Sequence, residues 1–168
     1  MTDLDLRPLP LDVAIARMPG ADPDLPLPDY RSIGAAGLDL AANLPFEIRA
    51  DGLTLASMER HLVPTGLAIA LPPGMEGQVR PRSGLALRQG LTLINSPGTI
   101  DSDYRGEILL PMINLGQEAV TIAHGDRVAQ LVVAAVAQVV WHVVEGLGET
   151  QRGTSGFGST GVSRGSTA

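Results

Sequence analysis

The chain has 168 residues, 44% of them hydrophobic, enough for one domain with its own buried core. All 12 basic residues are Arg against 18 acids, and the formal charge of −6 argues against bulk binding to nucleic acid or anionic membranes. Cysteine is absent, which excludes disulfide scaffolds, thiolate zinc sites and Cys nucleophiles.

Residues 1–10 are polar and Pro-containing and read as a loose N-terminus. Asp3, Asp5 and Arg7 in this stretch do not resemble a signal peptide, and a cytoplasmic location is expected. Leu11 to Arg17 reads as a strand ending at Pro19-Gly20, and residues 19–29, with Pro19, Pro23, Pro26 and Pro28, read as an irregular connection. Short β-capable runs then recur at about ten-residue spacing, separated by Gly, Pro or Asn. They are Phe46 to Arg49, Gly66 to Leu71, Leu91 to Ile94, Glu107 to Ile113 and Ala119 to Ile122. Val128 to Val144 is too long for one strand, and its Val content predicts two consecutive strands. The same apolar run, broken by Gln138 and His142, falls short of the ~20 residues of a membrane helix. Ser83 to Gln89 predicts one short helix, with Ser83 able to cap it and Gly90 able to end it. The fold class is mostly β, a sandwich or barrel rather than a βαβ fold. Arg152 to Ala168 holds five Gly, four Ser and three Thr among 17 residues and cannot bury enough surface to order itself. Taken alone it is a flexible arm, and composition leaves open whether that arm has any task.

Four segments carry chemistry. Asn95 to Gly106 places Asp101, Asp103 and Tyr104 between two strand-like runs, more than a turn needs. Arg80-Pro81-Arg82-Ser83-Gly84 sets two guanidiniums beside a helix start, where free backbone N–H groups can meet an anion. Arg127 and Gln130 stand three apart on a predicted strand, a spacing that sends them to opposite faces. Arg152 to Gly161 surrounds Phe157 with glycines and hydroxyls, suited to close approach to phosphates and to stacking on a base. His61, His124 and His142 lack the spacing of metal ligands.

Taken in order, these segments resemble the five motifs of the homotrimeric dUTP pyrophosphatase (dUTPase) family. The matching strings are Ala36-Gly37-Leu38-Asp39-Leu40, Arg80 to Leu85, Gly98 to Gly106, Gly125 to Gln130 and Arg152 to Gly161, and the resemblance runs from about residue 11 to residue 162. It implies a jelly-roll-like β-barrel or sandwich with one short helix and a flexible C-terminal arm. The division is then 1–10 loose, 11–147 β domain and 148–168 arm. It implies hydrolysis of dUTP to dUMP and pyrophosphate by Mg²⁺-assisted attack of water on the α-phosphate, which keeps uracil out of DNA and supplies dUMP for thymidylate.

By the same resemblance Asp101 orients and deprotonates the water. Asn95 and the main chain at Thr99 and Ile100 contact uracil, and Tyr104 packs under the deoxyribose. Arg82, Ser83, Gly84 and Gln130 hold phosphates, with Asp39 in a supporting role. In the arm, Arg152 meets the γ-phosphate, Phe157 stacks on uracil, and Gly158, Ser159 and Thr160 add contacts. No residue ligates Mg²⁺ directly, since the triphosphate and water hold it. The partners implied are dUTP and two further copies of the chain, with no nucleic acid and no membrane. Each site draws motifs from different subunits, so a monomer is expected to be inactive. Two alternatives share the fold: a catalytically silent nucleotide-binding trimer, and a bifunctional dCTP deaminase/dUTPase. The latter group lacks the Asp101-Ser102-Asp103-Tyr104 wording.

Overall fold

A computed structural model describes residues 10–150, 153 and 154. In chain order its elements begin with β1 (Ala14–Arg17), β2 (Leu38–Ala41), β3 (Leu53–Leu55), β4 (Arg60–Pro64), β5 (Leu67–Ala70) and β6 (Met75–Pro81). They continue with α1 (Ser83–Gln89), β7 (Leu91–Leu93), β8 (Gly98–Ile100), β9 (Leu109–Asn114), β10 (Val120–Ile122) and β11 (Arg127–Ala135). Among the described residues α1 is the one α-helix, and no helix is long and apolar enough to cross a membrane.

The strands form a four-stranded sheet in the order β2-β11-β6-β8, a three-stranded sheet β4-β9-β7, and the pairs β1-β5 and β10-β3, all antiparallel. Alternation decides which side of the large sheet is dry. Leu40, Ala129, Leu131, Val79 and Ile100 point into the core and are buried, while their neighbours Asp39, Gln130, Gln78 and Thr99 face the other way. Leu44, Leu55, Val63, Leu91, Leu110, Met112 and Ile122 complete that core from the remaining strands. Asn114 is wholly buried among them with its amide satisfied. Its Nδ2 donates to the carbonyls of Leu55 (3.0 Å) and Glu118 (2.8 Å), and its Oδ1 accepts from the Gly116 amide (2.8 Å).

The Pro-rich connection at residues 19–29 is irregular, as its composition predicts, and it is pinned to the body by Asp22. The Asp22 carboxylate accepts from Arg49 Nη1 and His124 Nε2, both at 3.0 Å, and from the Asp24 amide at 2.9 Å. His124 Nδ1 accepts from the Leu44 amide at 3.0 Å, so the ring carries its proton on Nε2 and donates it to Asp22. The Asp24 amide first, then the His124 hydrogen bond and the Arg49 charge, hold the Asp22 carboxyl below its ordinary value against the opposing effect of burial. His124 is thus a structural bridge.

Three sequence expectations need correction. Phe46–Ile48 is a 3₁₀ turn rather than a strand. Pro45 (φ −52°) starts it and the Ile48 amide bonds back to the Pro45 carbonyl at 3.1 Å, leaving Phe46 exposed. Val128 to Val144 gives one strand, not two: β11 ends at Ala135, and residues 138–150 hold neither strand nor helix. Val139, Val140, Trp141, Val143 and Val144 are exposed there, and β-propensity makes no strand without a partner edge. Ser83 does not cap α1; Arg82 occupies the cap position with no side-chain hydrogen bond, and Ser83 is the first helical residue. Gly90 does end the helix, in the left-handed region at φ +70°.

Candidate active site

The segment Asn95 to Glu107 builds a pocket of about 140 Å³ on the core-facing side of β6 and β8. Asn95, Thr99, Ile100 and Tyr104 line it together with Val79, Gly98, Glu107 and Leu109. β8 is an edge strand, so alternate backbone N–H and C=O groups along Gly98–Ile100 are left for a ligand. Tyr104 is held in place by its hydroxyl, which donates to the Glu107 carbonyl at 3.0 Å. A Cβ on Gly106 would collide with the phenol ring, so glycine at that position lets the ring lie over the backbone of the β8–β9 connection. The Tyr104 amide closes a turn onto the Asp101 carbonyl at 3.1 Å, and Arg105 Nη1 ties the same turn through the carbonyls of Ser102 (2.7 Å) and Tyr104 (2.8 Å). Asp101 follows the buried Ile100 directly and is exposed at the start of that turn. A cavity near 150 Å³ accommodates one benzene-sized ring, so a pocket of about 140 Å³ suits a single six-membered ring rather than a fused pair.

A second constellation lies on the opposite side of the large sheet. Asp39 on β2 meets Arg127 Nη1 at 2.8 Å, Arg82 Nε at 3.2 Å and Arg31 Nε at 3.6 Å. Arg82 also donates to the Arg127 carbonyl at 2.6 Å, and Gln130 Nε2 donates to the Pro81 carbonyl at 2.9 Å. The expectation that Arg127 and Gln130 face apart is overturned by a register shift between Arg127 and Ala129. Arg127 pairs with Ala41 and Gln130 with Asp39; Ala41 and Asp39 share a face of β2, so their partners do too. Gly37 lies against Gln130, and a Cβ there would stand 2.5 Å from its Oε1. Ser83 and Gly84 begin α1 immediately after Arg82, and the Arg88 guanidinium lies over Gly84.

The predicted residues therefore fall into two groups, Asn95, Thr99, Ile100 and Tyr104 at the pocket and Asp39, Arg82 and Gln130 at the arginine cluster, with Asp101 in the β8–β9 connection directly after Ile100. Arg127 belongs with the second group, and the bulge that puts it there leaves no mark in residue spacing. Arg31 was also missed, since it sits in no motif. Arg152, Phe157, Gly158, Ser159 and Thr160 lie outside the described residues.

Known proteins resemble this chain along most of its length. A model of the dUTPase family matches residues 24–161. The deoxyuridine 5'-triphosphate nucleotidohydrolase of Dinoroseobacter shibae is 56% identical over 151 residues, 90% of this chain and 97% of the relative. That of Anaeromyxobacter sp. is 54% identical over 153 residues, 91% of this chain and 99% of the relative. Among solved structures, the dUTPase of Staphylococcus bacteriophage 80alpha with dUPNHPP superimposes with a TM-score of 0.77 at 22% identity, over 90% of this chain and 99% of that one. A dUTPase variant from phage phi11 of S. aureus, whose structure concerns coordination of a structural Mg(II) ion, superimposes with a TM-score of 0.68 at 19% identity, over 82% of this chain and 99% of that one. The structural likeness establishes the jelly-roll-like β fold. With more than half of the residues identical along nine-tenths of its length, the chain belongs to the dUTPase family.

Proposed function

We propose that the chain hydrolyses dUTP to dUMP and pyrophosphate, removing a precursor of uracil in DNA and supplying dUMP for thymidylate synthesis. The observation that carries this reading is the one-ring pocket of Asn95, Thr99, Ile100 and Tyr104, continued in the chain by an exposed Asp101. The curated relatives, named for this reaction, support it. Uracil enters the pocket and is read by Asn95 and the free edge of β8. A cytosine amino group would meet donors where a carbonyl is expected, and such unpaired buried donors reject strongly. Tyr104 packs against the deoxyribose. Asp101 takes a proton from the water that attacks the α-phosphorus. Arg82, Ser83, Gly84 and Gln130 hold the phosphates, with Asp39 keeping Arg82 and Arg127 in place. Arg152, Phe157, Gly158, Ser159 and Thr160 close over the bound nucleotide as a lid.

Among the described residues no three His, Asp or Glu side chains cluster to hold a metal. Asp39 is committed to arginines, so the donor set fits Mg²⁺ carried by the triphosphate and water rather than a protein cage. Bound in that way, the ion offsets phosphate charge and polarises the phosphoryl group.

Pocket and arginine cluster project from opposite faces of one sheet, which supports a site shared between subunits of a homotrimer. Pyrophosphate release from dUTP, dCTP, dTTP and UTP, with Mg²⁺ and with EDTA, tests the reading. The expected result is release from dUTP alone, abolished by EDTA. Ammonia from dCTP would instead point to the bifunctional relatives, and no turnover by folded protein would leave a nucleotide-binding module.

A further inference from the structure

We infer that Arg31 is an additional phosphate-binding residue, gripping the outer phosphates of the triphosphate. The inference rests on the dUTP reading of the site.

Arg31 stands in the loop between the Pro-rich connection and β2, outside every motif string. Backbone contacts hold that loop back along β2. Tyr30 forms a bridge with Leu38, the Asp39 amide meets the Asp29 carbonyl at 3.4 Å, and the Ala35 amide closes a turn onto the Ser32 carbonyl at 3.1 Å. Gly37 at the end of the loop lies against Gln130, so the loop walls the face that carries Gln130, Arg127 and Asp39.

Three guanidiniums then surround one carboxylate. Arg127 and Arg82 bond to Asp39 at 2.8 and 3.2 Å, whereas Arg31 Nε at 3.6 Å lies beyond hydrogen-bond reach of that carboxylate. The Arg31 side chain is 54% exposed against 14% for Asp39, so its fork of N–H donors opens to solvent at the rim of the cluster. Among the described residues Asp39 is the one carboxylate paired with these three guanidiniums, an excess of positive charge at this spot on a chain whose formal charge is −6. Like charges gathered on one face repel one another, and a polyanion relieves that repulsion. The base pocket lies on the opposite face, and the α-phosphate is committed to the water at Asp101. The outer phosphates are the part of the substrate that remains for an arginine at the rim.

The test compares affinities of dUPNHPP and dUMP in Mg²⁺ by calorimetry for wild type, Arg31→Gln and Arg31→Lys, together with steady-state kinetics on dUTP. Arg31→Gln should weaken dUPNHPP about tenfold and leave dUMP within about twofold, as expected for one partly exposed charge-assisted contact. KM for dUTP should rise by the same factor with kcat within about threefold, and added salt should weaken dUPNHPP less steeply than in wild type. Arg31→Lys should recover part of the loss, since it keeps the charge without the planar fork.

Unchanged dUPNHPP affinity in Arg31→Gln, or equal loss of dUMP and dUPNHPP, overturns the inference. So does a wild type that binds dUPNHPP no more tightly than dUMP. If Arg31→Gln does not fold, Arg31→Lys decides: wild-type affinity for dUPNHPP in that variant overturns the inference as well. A wild type that binds dUPNHPP tightly yet releases no pyrophosphate from dUTP refutes the hydrolysis alone, and the affinities still decide Arg31.

Discussion

Asp22 shows how one side chain ties down a segment whose composition promises only an irregular connection. Residues 19–29 contain four prolines and bury little, yet the carboxylate gathers the Asp24 amide, His124 and Arg49 from three parts of the chain. Because these partners hold its folded-state pKa below the ordinary 3.8, Asp22 binds fewer protons folded than unfolded near that pH. Its stabilisation is complete above the ordinary aspartate range and is lost as pH falls through the depressed folded value. Thermal unfolding from about pH 6 down to about pH 2 should therefore show Asp22→Asn less stable than wild type at the upper end, with the gap narrowing as the acid limb is descended. A gap that stays constant across that range would mean that Asp22 acts through packing and not through its charge. Asn114 achieves a comparable tie without charge, and its full burial is tolerated because all its polar atoms are paired.

At the scale of elements, turns and register govern where chemistry is placed. The end of α1 is packed against the β9–β10 turn so closely that a Cβ on Gly90 would overlap the Gly116 backbone, and Gly90 also sits at φ +70°. Gly90→Ala should cost about 2 kcal/mol or more in urea unfolding, combining the left-handed backbone penalty with the clash. Gly74→Ala is the comparison. Gly74 has φ +82° but nothing within 4 Å of the added methyl, so about 1–2 kcal/mol is expected from the backbone alone. Equal costs at the two positions would show that the α1 junction yields to the methyl. The bulge at the start of β11 has a different consequence: one extra residue turns Arg127 onto the face of Gln130 and Asp39. A strict two-residue period put Arg127 on the wrong side, because a bulge is a property of the pair β2-β11 and neither strand announces it alone. Phe46–Ile48 failed for a local reason, since Pro45 imposes a turn that apolar content does not reveal.

At the scale of the whole molecule, the Tyr104 pocket and the arginine cluster occupy opposite faces of one four-stranded sheet, and the proposed site that joins them draws on more than one chain. Subunit mixing tests this arrangement. On the proposed reading the Asp101→Asn and Arg82→Ala proteins should each lose most turnover, on the order of 10²-fold or more where the proposed general base is removed. Co-refolded at equal amounts, the two should recover roughly a quarter of wild-type activity, because sites pairing an intact Asp101 with an intact Arg82 reappear. Mixed protein as inactive as its parents would place both residues in one chain's site.

Much of this was legible without coordinates. The strand-rich class, the helix at Ser83–Gln89, its stop at Gly90 and the connection bearing Asp101 and Tyr104 between strand-like runs follow from turn residues and apolar runs, because such signals act within a few positions. The order of the motif strings likewise pointed to the dUTPase family, because five short strings in sequence are far more specific than any one of them. Only the tertiary structure decided that Arg127 joins Gln130, that Arg31 reaches Asp39, that Asp22 anchors the Pro-rich loop, and that pocket and arginines lie on opposite faces. Each of these is set by strand register and loop path, and no local pattern of residues encodes either.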